Sequence, residues 1–251
     1  MSDRLGWLRG AIAFLTRLPV SADERGRDWD RFRAFPAAFP LVGYPIGAIV
    51  AVPFLVGGPP TVVAFGYLLA LVSLVGVLHL DGVGDLGDAA AAHGREAKLR
   101  ALSDTETGVG AIVAVAIVVA GLALAALEVA AMPAIAAVGL VVAAEVGAKL
   151  GMSTVACLGT ASHEGLASGF TESATPPLLI GPVLAALPAA LLFGPFPAGI
   201  VAVAVGPFSA VVLVGWSERT LGGVNGDVFG ATNELARVLG LHAGVIVWTL
   251  S

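Results

Sequence analysis

The sequence has little charge. Only 12% of its 251 residues are Asp, Glu, Lys or Arg, against about 25% in ordinary soluble domains, and the stretch from Ala34 to Leu80 contains none. With 57% hydrophobic residues and a mean hydropathy of +0.93, the chain is predicted to be an integral membrane protein. Aromatic residues are also scarce, at 7%; the apolar mass is Ala, Val, Leu and Gly, small residues that let helices approach closely in lipid. The apolar stretches do not alternate with polar positions, which argues against a β-barrel. The single cysteine, Cys157, excludes an internal disulfide framework and reads as a packing residue. A net charge of −5 and a pI near 5.3 argue against a nucleic-acid partner. There is no Walker loop, no dinucleotide fingerprint and no Ser/His/Asp order that would suggest a triad. Arg17 interrupts the apolar run that follows Arg4 and Arg9, and no small-residue cleavage site comes after it, so a removed signal peptide is not expected.

What is present fits an all-α, polytopic membrane helical bundle of about six to seven transmembrane helices with an N-terminal interfacial helix. It forms one domain over 1–251, in which 1–33 is an interfacial, cytoplasmic segment. Leu5–Val20 is amphipathic, with Trp7, Phe14 and Leu18 among arginines, and Ser21–Arg33 reads as a polar loop. Spans are expected from about Phe35 to Val56, Val62 to Leu80, Gly108 to Glu128 and Val129 to Ala144. Two more are expected within Pro176–Ser217, turning at Gly194-Pro195-Phe196-Pro197. The fourth has room to continue past Glu145 and Lys149, whose i, i+4 spacing would let them neutralise each other. Counting crossings puts the N-terminal segment and the polar segments around Ala89–Glu106, Glu145–Thr175 and Glu218–Arg237 on one side. They hold all 13 Lys and Arg, so by the positive-inside rule that side is the cytoplasm of a multi-pass inner or plasma membrane protein. Val238–Ser251 is too short to be assigned a crossing. Such one-sided polarity weakens a channel or carrier reading.

The chain is organised around Asp81-Gly82-Val83-Gly84-Asp85-Leu86-Gly87-Asp88. In a helix, Asp81, Asp85 and Asp88 at i, i+4 and i+7 share one face. Like charges so placed are tolerable where a divalent cation gathers them, and hard oxygen ligands suit Mg²⁺, Mn²⁺ or Ca²⁺. The bland alternative is a helix cap followed by a solvated acidic turn. Leu221–Glu234 repeats this grammar: glycines and Asn225 make a turn, and a helix from Asp227 would put Asp227 and Glu234 on one face. Ser103-Asp104-Thr105-Glu106-Thr107-Gly108 reads first as a capped helix entry and second as a phosphate-receiving turn. His93 and His163 read as solvated loop residues, and His79 and His242 as hydrogen-bonded structural ones, although His79 adjoins the acidic run. Arg17, Arg33, Arg95, Lys98, Arg100 and Arg219 are the cations available to phosphate or lipid headgroups.

Four stretches carry a family resemblance: Phe14-Leu15-Thr16-Arg17-Leu18-Pro19-Val20; Phe39-Pro40-Leu41-Val42-Gly43-Tyr44-Pro45-Ile46-Gly47; His79-Leu80-Asp81 through Asp88-Ala89; and Gly226-Asp227-Val228-Phe229-Gly230-Ala231. In this order they resemble the signatures of the cobalamin synthase, or adenosylcobinamide-GDP ribazoletransferase, family, and the His-Leu-Asp-Gly run is the specific one. The chain departs from that pattern at Glu106, where a basic or neutral residue is usual, and at Lys149, where an arginine is expected before Gly-Met. The resemblance implies a polytopic Mg²⁺-dependent transferase. Such an enzyme joins adenosylcobinamide-GDP to α-ribazole or its 5′-phosphate and releases GMP, a step in nucleotide loop assembly of the corrinoid. It implies that Asp81, Asp85 and Asp88, with Asp227 and Glu234, hold Mg²⁺ on the diphosphate. Asp88 or Asp85 would serve as base, and Arg17, His79, Lys98, Arg100, Asp104 and Asn225 would contact substrate. The expected partners are these two substrates and the lipid bilayer, and homo-oligomerisation is left open.

Two rivals stand beside this reading. A CDP-alcohol phosphotransferase shares the Asp-Gly opening, but its pattern has Ala-Arg next and a wider spacing between its last aspartates. A divalent-cation transporter would need polar residues inside the spans, where few are expected.

Overall fold

The computed structural model describes residues 5–20, 25–193 and 195–251. Among them there is no strand, only one isolated bridge between Ala161 and Val224. The helices are α1 (Gly6–Leu15), α2 (Arg25–Arg33), α3 (Ala38–Val50), α4 (Val52–Val56), α5 (Pro60–Val75), α6 (Leu78–Ala91), α7 (Arg95–Ser103), α8 (Val109–Ala130), α9 (Ala134–Leu158), α10 (Leu166–Thr171), α11 (Ile180–Pro188), α12 (Ala198–Thr220) and α13 (Gly226–Leu250). A 3₁₀ turn lies at Pro176–Leu179 and a π turn at Ala189–Phe193.

Four helical stretches are long and apolar enough to cross a membrane: Ala38–Val56, Val109–Ala130, Ala134–Leu158 and Ala198–Thr220. A fifth is added if α5 and α6 are one broken span. This is fewer than the expected six to seven, for two local reasons. The expected span from Val62 to Leu80 stops at Val75, because Gly76 adopts φ +81° and the chain turns 95° into α6; a left-handed glycine ends a helix at little steric cost. The first half of Pro176–Ser217 is divided into a 3₁₀ turn, the nine-residue α11 and the π turn, with Pro188 at the break, so it supplies no full-length span. The helix expected from about Asp227 is present and starts at Gly226; it runs on as the 25-residue α13, joining the end of the polar segment to the apolar tail.

The bundle is built on α9. Every residue from Gly139 to Cys157 is buried, because α3, α12 and α13 pack around it. Small residues bring the backbones together: Gly43 and Gly47 of α3 lie on Val146 and Val142, and Gly206 of α12 lies directly on the backbone of Gly147. Close backbone approach of this kind replaces the hydrophobic driving force that lipid does not supply.

Of the loop expected over Ser21–Arg33, residues 21–24 lie outside the described residues and the rest is helical. Residues 25–33 form α2, which lies on α1 through Gly6 and Gly10 and an Arg9–Asp28 ion pair of 2.7 Å. Arg9 holds the Asp28 carboxyl below the usual carboxylate range. An aromatic cluster ties this pair to the bundle: Phe14, Trp29, Phe32 and Phe39 all meet Phe170 of α10 at 5.1–5.6 Å between ring centroids.

Candidate active site

Two helices cross where glycine lets them touch. A methyl group added to Gly82 of α6 would stand 2.8 Å from the Asp227 carbonyl oxygen, and one added to Gly230 of α13 would stand 3.1 Å from His79 Cα. The crossing therefore sets the start of α6 against the start of α13. It brings Asp85 within hydrogen-bond reach of Asp227, with Asp81 and Asp88 close enough for their charge to act on Asp85. Asp81 is exposed, while Asp85 and Asp227 are half-buried. Two carboxyl groups in contact cannot both remain charged unless a proton or a cation lies between them.

Asn225 fixes Asp227. Its Oδ1 accepts from Val228 N at 3.1 Å, capping α13, and its Nδ2 donates to Asp227 Oδ2 at 2.7 Å. The turn before it is held by Val224 N on Thr160 O at 2.8 Å and Ser162 N on Val224 O at 2.9 Å. This pairing brings His163 near enough for its charge to act on Asp227. A solvated loop histidine was expected there; His163 is exposed and hydrogen-bonded to Ser162 at 2.9 Å. Only the nonlocal pairing of two loops places it at the site, and no local sequence signal marks it.

The other expected site residues are distributed differently. Asp88 turns to α8: its Oδ2 accepts from Gly108 N at 2.8 Å and its Oδ1 from Ala111 N at 2.9 Å. It thus caps a helix from outside, a duty that the sequence suggested for Asp104 and its neighbours. Asp104 instead accepts from Glu106 N at 3.1 Å within its own turn, and both line a cleft of about 430 Å³ beyond Asp88. Lys98 donates to the Ala89 and Ala90 carbonyls at 2.8 and 3.3 Å, closing the C-terminal end of α6. Arg100 is exposed and 3.8 Å from Glu96. Arg17 donates its backbone N–H to Leu74 O at 2.7 Å and lays its side chain on the Gly76 bend. His242 is a structural residue whose Nε2 donates to Gly121 O of α8 at 3.0 Å.

Glu234 belongs to a second assembly. It pairs with Arg237, which also grips Glu145 of α9 through Nε and, at 3.2 Å, through Nη2. Lys149 Nζ lies 3.3 Å from Glu145 Oε2 and 2.7 Å from Asn233 Oδ1. Glu145, Lys149 and Arg237 are completely buried, so two cations and two anions neutralise each other inside the bundle. The Glu145–Lys149 spacing was legible in the sequence; its completion by Asn233 and Arg237 was not, because those residues come from a helix 84 and 92 positions further along the chain.

Among the described residues, no three His, Cys, Asp or Glu side chains converge as a ready-made metal cage. The donor set does suit a hard cation of the Mg²⁺ type, which is usually bound by one or two carboxylates and completes its shell with water and substrate phosphates. Asp85 and Asp227 form such a pair, with Asp81 beside them.

These features describe an α-helical membrane bundle with a carboxylate site at its rim, where two glycine-faced helices cross. The model of one family, cobalamin-5-phosphate synthase, matches residues 7–245. The adenosylcobinamide-GDP ribazoletransferase of Halorubrum lacusprofundi is 50% identical, over 96% of this chain and 97% of its own. Proteins of the same name from Haloquadratum walsbyi and Halobacterium salinarum are 40% and 54% identical, over 97% and 77% of this chain and 98% of each of their own. No solved structure matches the chain at a significant level. The chain belongs to the cobalamin-5-phosphate synthase family.

Proposed function

We propose that this chain, a transferase of cobalamin biosynthesis by family, joins adenosylcobinamide-GDP to α-ribazole or its 5′-phosphate at the α6/α13 crossing. The observation that carries the reading is the contact of Gly82 with Asp227, which puts Asp81, Asp85 and Asp227 together at one rim of the bundle. The ribose hydroxyl oxygen of α-ribazole forms a bond to the cobinamide-side phosphorus. The bridging P–O bond of the diphosphate breaks, and its electron pair leaves with GMP. The hydroxyl proton passes first to a carboxylate of the site and then to solvent or product. Chemistry of this kind needs charge neutralisation and in-line placement more than a covalent nucleophile.

Asp85 and Asp227, with Asp81, are the residues that would hold Mg²⁺, which supplies charge neutralisation on the diphosphate when bound. Asn225 keeps the Asp227 carboxylate aimed at α6. Asp85 is the better candidate for the base, since both oxygens of Asp88 already accept backbone N–H groups. The one-sided distribution of exposed Lys and Arg supports a cytoplasmic active face in the plasma membrane. The test is to supply the purified protein in bilayers with adenosylcobinamide-GDP, α-ribazole and Mg²⁺ and to measure GMP. Release of GMP that requires both substrates and fails in D81N and D85N is the expected result; near-wild-type turnover of those variants at saturating Mg²⁺ would remove the site assignment.

A further inference from the structure

The buried assembly behind the crossing includes a residue of the crossing itself, His79, on whose backbone Gly230 packs. His79 opens the acidic helix, two residues before Asp81, and its side chain is 11% exposed. Its Nδ1 faces Asn233 Nδ2 at 3.0 Å. The orientation of that amide is not free. Asn233 Oδ1 lies 2.7 Å from the Lys149 ammonium, and the second Nδ2 hydrogen points to Glu234 Oε1 at 3.0 Å. Turning the amide over would set its NH₂ group against a cation and its oxygen against a carboxylate, two like-sign encounters in a buried place. Asn233 therefore donates to His79, and Nδ1 must accept. A neutral imidazole that accepts at Nδ1 carries its hydrogen on Nε2. Among the described residues, Nε2 has no hydrogen-bond partner.

We infer that Lys149 and Asn233 are positioning residues that lock the tautomer of His79, so that its Nε2–H is offered as a hydrogen-bond donor to a phosphoryl oxygen of the diphosphate substrate. The inference rests on the reaction proposed above and assigns a specific donor within it. His79 contacts the substrate; Lys149 acts on it only through Asn233. Glu145 and Arg237 serve this arrangement indirectly: Glu145 holds Lys149 at 3.3 Å, and Arg237 holds Glu145 and Glu234. The lock spans three helices, α9, α13 and α6, so the placement of the donor is tied to the packing that also sets Gly230 against His79.

The experiment uses the full-length protein in nanodiscs, labelled with ¹⁵N histidine. There are four histidines, and the His79 signals are identified by their loss in H79Q. The expected result is a wild-type His79 with unprotonated Nδ1 and protonated Nε2, and an N233D variant in which Nδ1 is protonated because a carboxylate oxygen now faces it. The activity arm compares H79Q, whose amide NH₂ reaches the place of Nε2, with H79N, whose amide reaches only the place of Nδ1. H79N is expected to lose about 10²-fold or more in kcat, the scale of removing one preorganised donor from a transition state, and H79Q to keep most of it. A protonated Nδ1 in the wild type overturns the lock, and equal kcat for H79N and H79Q overturns the donor role. If the wild type releases no GMP from the two substrates, the reaction itself is wrong, a failure separate from the nitrogen spectra, which still decide the lock.

Discussion

Acidic residues occur in two settings, which meet on α13, where Asp227 and Glu234 are seven residues apart. At the rim, Asp81, Asp85 and Asp227 face one another with no Lys or Arg ion-paired to them among the described residues. In the interior, Glu145 and Glu234 are matched charge for charge by Lys149 and Arg237. Where the protein supplies the counter-charge, the acid is part of the framework. Where it withholds it, the electrostatic cost is left for a cation or a polyanion-bound metal to offset, and that imbalance marks the site. The interior set also bears on the transporter reading: polar groups do lie within α9, but they are closed on one another, and a conduction path requires groups that are free to exchange partners.

The largest effect should come from breaking the interior balance. R237M leaves Glu145 and Glu234 buried with only Lys149 between them, and removing one partner of a buried pair costs about 3–5 kcal/mol. Thermal unfolding in detergent is expected to show that loss, and adding E234Q should recover part of it by restoring charge neutrality. If R237M unfolds at the wild-type midpoint, the interior charges are not what holds α9 to α13.

The rim should behave in the opposite way. D85N removes one of several mutually repelling carboxylates, so its unfolding midpoint is expected to be unchanged or raised, while turnover falls about 10²- to 10³-fold, as for loss of one preorganised electrostatic contact. A variant that lost stability and activity together would erase the distinction between the two settings.

Asp88 stands between them, an acid whose counter-charge is the amide end of a helix. D88A is expected to cost about 1–2 kcal/mol, the value of a good N-terminal cap, with a smaller loss of turnover than D85N. Chemical denaturation and GMP release measured on the same preparations separate the two contributions. If D88A matches D85N in activity and the wild type in stability, Asp88 belongs to the rim after all.

These contrasts explain which parts were legible in the sequence. The face shared by Asp81 and Asp85 follows from helical spacing alone. The hydropathy of α8, α9 and α12 marks them as spans without any knowledge of partners. The bend at Gly76 was hidden because the run remains apolar on both sides of it, and glycine within membrane helices is common. The inward course of α13 was hidden because Asp227, Glu234 and Arg237 look like a surface segment unless their partners, which lie about eighty to one hundred and fifty positions away in the chain, are known. Charge compensation is nonlocal, and a linear reading scores only the cost.

The smallest effect belongs to a third setting, the half-exposed pair of Arg9 and Asp28 that joins α1 to α2. The Asp28 side chain is 5% exposed and that of Arg9 31%, so the pair is partly screened and worth about 0.2–1 kcal/mol. Because Arg9 lowers the folded-state pKa of Asp28, the stabilisation is present above the ordinary carboxylate pKa and disappears as the pH falls through the lowered one. The gap in unfolding midpoint between wild type and D28N is therefore expected to be constant from neutral pH down to about pH 4 and to close below it. Partial exposure makes this pair intermediate between the interior, where compensation is complete, and the rim, where it is absent. A gap that stayed constant into strong acid would mean that Asp28 acts on α1 through packing against Gly6 and Gly10 rather than through its charge.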